Sequence, residues 1–257
     1  MLAVCDIISN EKITENHRIY RLVIDAPKIA GEAKPGQFVN IKCKDFTLRR
    51  PISIAGAENG RITICYDVRG AGTSWLSEQK SGKIDILGPL GSGFDISDTS
   101  KKVLLAGGGV GIFPLYPVAA AYRENAYAVL GFRTAGLAVY EKEFKSLGCE
   151  VHIATDDGSY GKKGFATDIV REILENKENK IKIIMTCGPK AMMRGVALEA
   201  AKKNIKCQAS FEERMACGVG ACLACVCKIN GESKRICCDG PVFDITGITG
   251  EGEIEWE

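Results

Sequence analysis

Residues 103–122 read VLLAGGGVGIFPLYPVAAAY, twenty positions without a charge, flanked by Lys101, Lys102 and Arg123. A membrane-spanning helix has that length and polarity. Against it stand Gly107, Gly108 and Gly109 in a row, a further Gly111, and prolines at 114 and 117, all poor in a continuous helix. The stretch reads instead as a strand, a tight turn and a helix start, and no membrane span is expected. A glycine turn opening a helix after a strand offers backbone N–H groups to a dinucleotide phosphate. Ile112 stands where a Gly-x-Gly-x-x-Gly fingerprint would need its last glycine, so this reading rests on context. A tight turn that binds nothing is the plainer alternative.

Working outward from that stretch, the chain toward the carboxyl end alternates apolar strand candidates (VLLAG, YAVLGF, CEVHIAT, KIIMTCG, CQASF) with helical stretches near 114–124, 140–147, 165–175 and 190–203. Such alternation predicts a parallel sheet, whose ligands lie beyond the carboxyl ends of the strands. Toward the amino end, residues 1–97 hold the short runs IYRLVIDA, GQFVNIKC, RPISIAG, RITICYDV and KIDILGPLG, separated by turn signals. Strands this short and evenly spaced predict a closed antiparallel barrel. The expected fold class is therefore multi-domain β plus α/β: a barrel over 1–97, a parallel-sheet domain over 98–211 and a small segment over 212–257. A chain of 257 residues can bury more than one core.

That last segment holds six of the twelve cysteines, between Cys217 and Cys238. The amino terminus MLAVCDIISNEK carries neither a basic stretch nor a long apolar one, so a cytoplasmic location is expected, where clustered thiols serve as metal or redox ligands. Cys217, four residues, Cys222, two residues, Cys225 is the plant-type iron–sulfur spacing, with a fourth thiolate from further on. Cys237 or Cys238 supplies it. The small residues between, such as Gly218, Gly220 and Ala221, let the loop wrap closely and offer N–H groups to sulfur. A zinc knuckle shares the two-residue spacing but usually shows a second such pair downstream, and adjacent Cys237 and Cys238 do not make one.

On the third predicted barrel strand lies Arg49-Arg50-Pro51-Ile52-Ser53-Ile54, followed later by Gly70-Ala71-Gly72-Thr73. Arg50 supplies charge for a pyrophosphate and Ser53 a hydroxyl for a ring or phosphate oxygen. Strand alternation puts Arg50 and Ile52 on one face and Ser53 on the other, so bringing both to one ligand requires a local bend after Pro51. Gly72 and Thr73 let backbone amides approach a diphosphate at a helix start near Trp75. A barrel strand with a solvated arginine pair is the bland alternative.

In this order, the motifs resemble the ferredoxin reductase superfamily and, within it, the electron-transfer subunits of class B dihydroorotate dehydrogenases, over nearly the full length. The resemblance implies that Arg50, Pro51, Ile52 and Ser53, with Gly72 and Thr73, hold FAD on a six-stranded barrel, and that Cys65, Tyr66 and Asp67 line it. It implies that Gly107, Gly108, Gly109 and Gly111, with Cys187, Gly188 and Pro189, meet NAD as co-substrate. It implies a [2Fe–2S] cluster on Cys217, Cys222, Cys225 and Cys237, the last preferred because Asp239-Gly240-Pro241-Val242-Phe243 follows it. The implied partner is a separate FMN-containing dihydroorotate dehydrogenase catalytic subunit, two chains of each kind forming a heterotetramer in pyrimidine biosynthesis. Arg133 after the second sheet strand would suit a 2′-phosphate, but Asp156 and Asp157 after the third would repel one, and the family uses NAD.

A near-even 34 basic and 32 acidic residues argue against a nucleic-acid partner. His17 and His152, the two histidines, sit in no motif, and no general base is expected because the cofactors carry the chemistry. Two other readings stay open: an NAD(P)H-linked electron-input subunit of another reductase or hydrogenase, and a zinc-binding interaction module.

Overall fold

The computed structural model describes residues 1–15, 18–248, 254 and 256; His17 lies outside them. Six strands close the barrel in the order β1-β2-β5-β4-β3-β6: β1 (Leu2–Lys12), β2 (Ile19–Asp25), β3 (Phe38–Ile41), β4 (Arg50–Glu58), β5 (Arg61–Asp67) and β6 (Lys83–Leu90). Its interior is a column of branched side chains, with Leu22, Ile24, Val39, Ile41, Ile62, Ile64 and Ile86 all fully buried. Each contributes roughly 1.5–3 kcal/mol by leaving water. Helix α1 (Pro27–Glu32) packs Ile29 onto this column and α2 (Ala71–Glu78) packs Leu76.

Strand β1 is absent from the sequence-predicted runs. Its inward side chains are Cys5, Ile7 and then Asn10, because the register with β2 slips between Ile7 and Ser9. A bulge moves the buried face by one residue and erases the alternation on which a strand is recognised.

The second sheet runs in the order β10-β9-β8-β7-β11-β12-β15. Strands β7 (Lys102–Gly108), β8 (Ala126–Phe132), β9 (Glu150–Thr155), β10 (Lys162–Lys163), β11 (Ile181–Cys187) and β12 (Lys206–Ser210) are parallel. Val103, Leu104, Leu105 and Ala106 of β7 are fully buried, as a parallel strand covered on both faces requires. One face carries α5 (Ala166–Glu175) and α6 (Lys190–Lys202), the other α3 (Tyr116–Tyr122) and α4 (Glu141–Ser146). The uncharged stretch at 103–122 is thus strand, then a 3₁₀ turn over Gly109–Leu115 containing Pro114, then helix. Among the described residues no helix is long and apolar enough to cross a membrane.

The cysteine-rich segment forms a hairpin of β13 (Val226–Ile229) and β14 (Glu232–Arg235) and then returns to the main body. There β15 (Val242–Asp244) adds an antiparallel edge to β12, pairing Ser210 with Val242. Backbone bonds from Ser92 N to Gly240 O (2.6 Å) and from Phe211 N to Pro241 O (2.9 Å) tie the segment to barrel and sheet together. Its Cys225, Ile229, Ile236 and Cys237 share one core with α6 and with Phe38 of β3.

The bend expected after Pro51 is absent. Arg50 to Ser53 run in unbroken register with Ile41 to Phe38, and the slip in β4 falls between Ile54 and Gly56. Arg50 opens the strand, so its side chain leaves over the barrel rim without a distortion. The RPIS run also lies on the fourth strand of the chain, not the third, because β1 precedes those read from sequence.

Candidate functional site

Two adjoining clefts open where the barrel faces the carboxyl ends of β7, β8, β11 and β12. The larger, about 930 Å³, is lined by Ser53 and Asp67 from the barrel, Gly108, Gly109 and Gly111 from the glycine turn, and Cys187, Gly188 and Pro189 after β11. The smaller, about 510 Å³, runs from Pro51, Ile52 and Ser53 to Ile236 and Pro241 of the cysteine-rich segment. Ser53, Arg69, Cys187, Gly188, Ser210 and Glu212 line both.

The glycine turn is shaped by close approach. A Cβ on Gly111 would lie 2.3 Å from the carbonyl oxygen of Cys187, and one on Gly108 would lie 2.7 Å from Pro189. Gly109 has a φ of +55° with nothing within 4 Å of a Cβ there, leaving its backbone open. Gly107 sits beneath Ile112, 2.8 Å from a would-be Cβ, and packs the turn. The Cys187 thiol is pushed up to about 12 by desolvation and then by the nearby Glu212 carboxylate. Arg133 and Asp156 line this cleft together, and Asp157 is an exposed carboxylate accepting from Ser159 N and Oγ.

At the barrel rim the guanidinium of Arg50 lies 5.0 Å over the Phe46 ring, and its Nη1 donates to the Leu48 carbonyl. It presses so closely on α2 that a Cβ at Gly72 would fall 2.3 Å from Arg50 Nε. Thr73 Oγ1 accepts from the Gly70 and Arg69 N–H groups, closing the turn that precedes α2. Arg50, Gly72 and Thr73 are thereby gathered on one rim. Cys65 and Tyr66 are both buried on opposite faces of β5: Cys65 points out of the barrel onto the sheet domain, its Sγ 3.3 Å from the Tyr140 hydroxyl, and Tyr66 points into the barrel, its hydroxyl donating to Asn10 Oδ1 at 3.1 Å. Burial pushes the Cys65 thiol up to about 12.

The four candidate thiols each accept a backbone N–H: Cys217 from Val219, Cys222 from Cys217 and Cys225 from Cys237, all at 3.4 Å, and Cys237 from Gly220 at 3.1 Å. Positive φ angles at Gly218 and Gly220 let the loop curl inward so far. Hydrogen bonds from the Val219 N–H and its neighbours draw the Cys217 thiol down to about 6, whereas burial pushes Cys237 up to about 12. Cys238 is exposed and points its sulfur at Asp239 Oδ1, 3.7 Å away; Cys227 is buried on β13. Among the described residues no three Cys, His, Asp or Glu side chains converge as a single-ion site needs. A donor set of four thiols fed by loop amides fits an iron–sulfur cluster, whose ligands are shared between two irons.

Residues 212–249 match the model of the iron-sulfur cluster binding domain of dihydroorotate dehydrogenase B. Over 251 residues the chain is 42% identical to the dihydroorotate dehydrogenase B (NAD(+)) electron transfer subunit of Geobacillus sp. (strain WCH70), covering 92% of this chain and 94% of that protein. This chain belongs to that family of electron transfer subunits. Among solved structures, a chain of an NADH-dependent reduced ferredoxin-NADP oxidoreductase studied for flavin-based electron bifurcation superposes with a TM-score of 0.85 at 33% identity, covering 99% of this chain and 90% of that one. A ferredoxin reductase of carbazole 1,9a-dioxygenase shares the fold, with a TM-score of 0.65 at 21% identity over 79% of this chain and 67% of that one.

Within this electron transfer subunit, sequence reasoning passed over Arg69, Ser210 and Glu212, which line both clefts. Ser210 ends β12 and Glu212 lies two residues on, so the rule of inspecting strand ends would have found both. His152 is a partly exposed surface residue on Glu150 Oε1, 2.9 Å away.

Proposed function

We propose that this subunit passes electrons between NAD and a separate FMN-containing dihydroorotate dehydrogenase catalytic subunit, in a cytoplasmic heterotetramer of two chains of each kind. The observation that carries the reading is the meeting of two clefts at Ser53, Cys187 and Gly188, one opening on the glycine turn and the other on the cysteine-rich segment. Arg50, Pro51, Ile52 and Ser53, with Gly72 and Thr73, would hold FAD, the guanidinium facing its pyrophosphate. Gly108, Gly109 and Gly111, with Cys187 to Pro189, would receive NAD, and Asp156 would repel a 2′-phosphate. Cys217, Cys222, Cys225 and Cys237 would ligate [2Fe–2S], with the loop amides lowering the charge on their sulfurs. The FAD held there would supply hydride exchange with the nicotinamide and single-electron exchange with the cluster.

No side chain in the clefts need act as general base; the proton taken from dihydroorotate belongs to the catalytic subunit. The protein's own task is to bind, to orient and to keep water from the junction. A second reading, electron input to another oxidoreductase, is favoured by the 33% identity to the ferredoxin-NADP oxidoreductase chain. Co-purification decides between them: the native complex should contain an FMN-bearing partner in equal amount and reduce NAD with dihydroorotate. A complex lacking that activity but reducing ferredoxin would favour the second reading.

A further inference from the structure

Strand β3 alternates across the barrel wall. Val39 and Ile41 point into the barrel core, while Phe38 packs outward with Cys225 and Cys237. By the same alternation Asn40 faces outward, toward the cysteine-rich segment. It is 0% exposed, yet neither its Oδ1 nor its Nδ2 has a hydrogen-bond partner within the chain. Both atoms of one buried amide without a partner are rare, because burial strips off water and returns nothing.

The amide lies against the cluster loop. A Cβ on Gly218 would fall 2.7 Å from Asn40 Nδ2 and 3.3 Å from Leu90 Cδ1, so the backbone just after Cys217 rests directly on β3 and β6. Gly218 has no side chain to offer, and the loop's nearby N–H groups are already turned to sulfur: Val219 to Cys217 and Gly220 to Cys237. What such a donor lacks is an acceptor, and the acceptors that a loaded loop would bring are sulfurs.

We propose that Asn40 Nδ2 donates a hydrogen bond to a sulfur of the iron–sulfur cluster on its Cys217 side, making the flavin barrel itself a positioning element for the cluster. This rests on the cluster ligation proposed above. A neutral donor to sulfur favours the reduced, more negative cluster, so Asn40 raises the cluster's reduction potential. It also gives a partner to a polar side chain that is fully buried beside Gly218 of the loop.

The test is an Asn40→Leu variant of the full chain, similar in shape but without a donor, assayed for iron, labile sulfide and FAD and then titrated potentiometrically by EPR. The expected result is unchanged cofactor content, an unmoved FAD potential and a lower cluster potential, with the reduced-to-oxidised ratio at fixed potential falling about tenfold, or about 59 mV for one electron. A cluster potential equal to wild type with iron retained would overturn the proposal. Should the variant lose its cluster, the wild-type protein carrying asparagine labelled with ¹⁵N in the side-chain amide gives the answer by pulsed EPR of the reduced cluster. A ¹⁵N coupling in the wild-type cluster signal, abolished in a cluster-bearing Asn40→Gln protein, supports the bond; its absence from wild type overturns it. Wild-type protein without iron or labile sulfide would instead remove the cluster reading and this inference with it.

Discussion

Two neighbouring thiols, Cys237 and Cys238, have the same chemistry and opposite surroundings. Cys237 is buried to 2% exposure and accepts from Gly220 N–H, while Cys238 is exposed beside Asp239. Cys237→Ser is therefore expected to remove iron and labile sulfide with FAD retained, and Cys238→Ser to leave both irons in place; metal analysis of the two purified variants checks this. Spacing alone left these residues open, because one position either way satisfies a ligand distant in sequence; both sulfurs approach Gly220 of the loop, and burial with a loop N–H is what favours Cys237. Asn40 was illegible for the same reason: nothing in FVNI announces that a loop from the far end of the chain will seal it. The RPIS run read as a site only through the family resemblance, since alone it is equally a barrel strand with a solvated arginine pair, and its geometry was not legible. For Arg50→Ala, loss of a charge-assisted bond to phosphate is expected to weaken FAD by about tenfold to a hundredfold, roughly 1.5–3 kcal/mol, in a titration of the apoprotein. Unchanged affinity would make Arg50 a solvated rim residue.

Among the elements, the buried parallel strands were legible as unbroken apolar runs, and the helices between them fell close to their expected places. Strand β1 escaped through its bulge, and β15, at three residues, is too short to show any period. The glycine turn shows what an element owes to one residue. In Gly111→Ala the new methyl meets the Cys187 backbone, and overpacking of about 1–3 kcal/mol should shift the turn and weaken NADH binding, read as a raised NADH concentration for half-bleaching of FAD at unchanged iron content. A second junction joins barrel to sheet: Asp95, after β6, accepts from Ser97 and from Lys206 of β12 (3.0 Å), and these bonds lower its carboxyl from 3.8 to about 2. A lowered folded value means stability that is fully present above about 3.8 and lost as pH falls through about 2. The pair is exposed, so Asp95→Asn should cost under ~1 kcal/mol at pH 6, and the difference in Tm from wild type should vanish below pH 2.

At the scale of the whole molecule, barrel, sheet and cysteine-rich segment are held as one body by shared cores and by the β15 edge strand, and their junction holds both clefts. Nicotinamide delivers two electrons at once and a [2Fe–2S] cluster takes one, so a flavin must stand between them. The most direct test is anaerobic stopped-flow mixing of NADH with wild type and with Cys237→Ser, followed by dihydroorotate-driven NAD reduction in the reconstituted complex. Flavin absorbance should bleach in both proteins, before or together with the cluster in wild type, and coupled activity should disappear in the variant. An iron-free Cys237→Ser protein that kept the full coupled rate would contradict a path through the cluster.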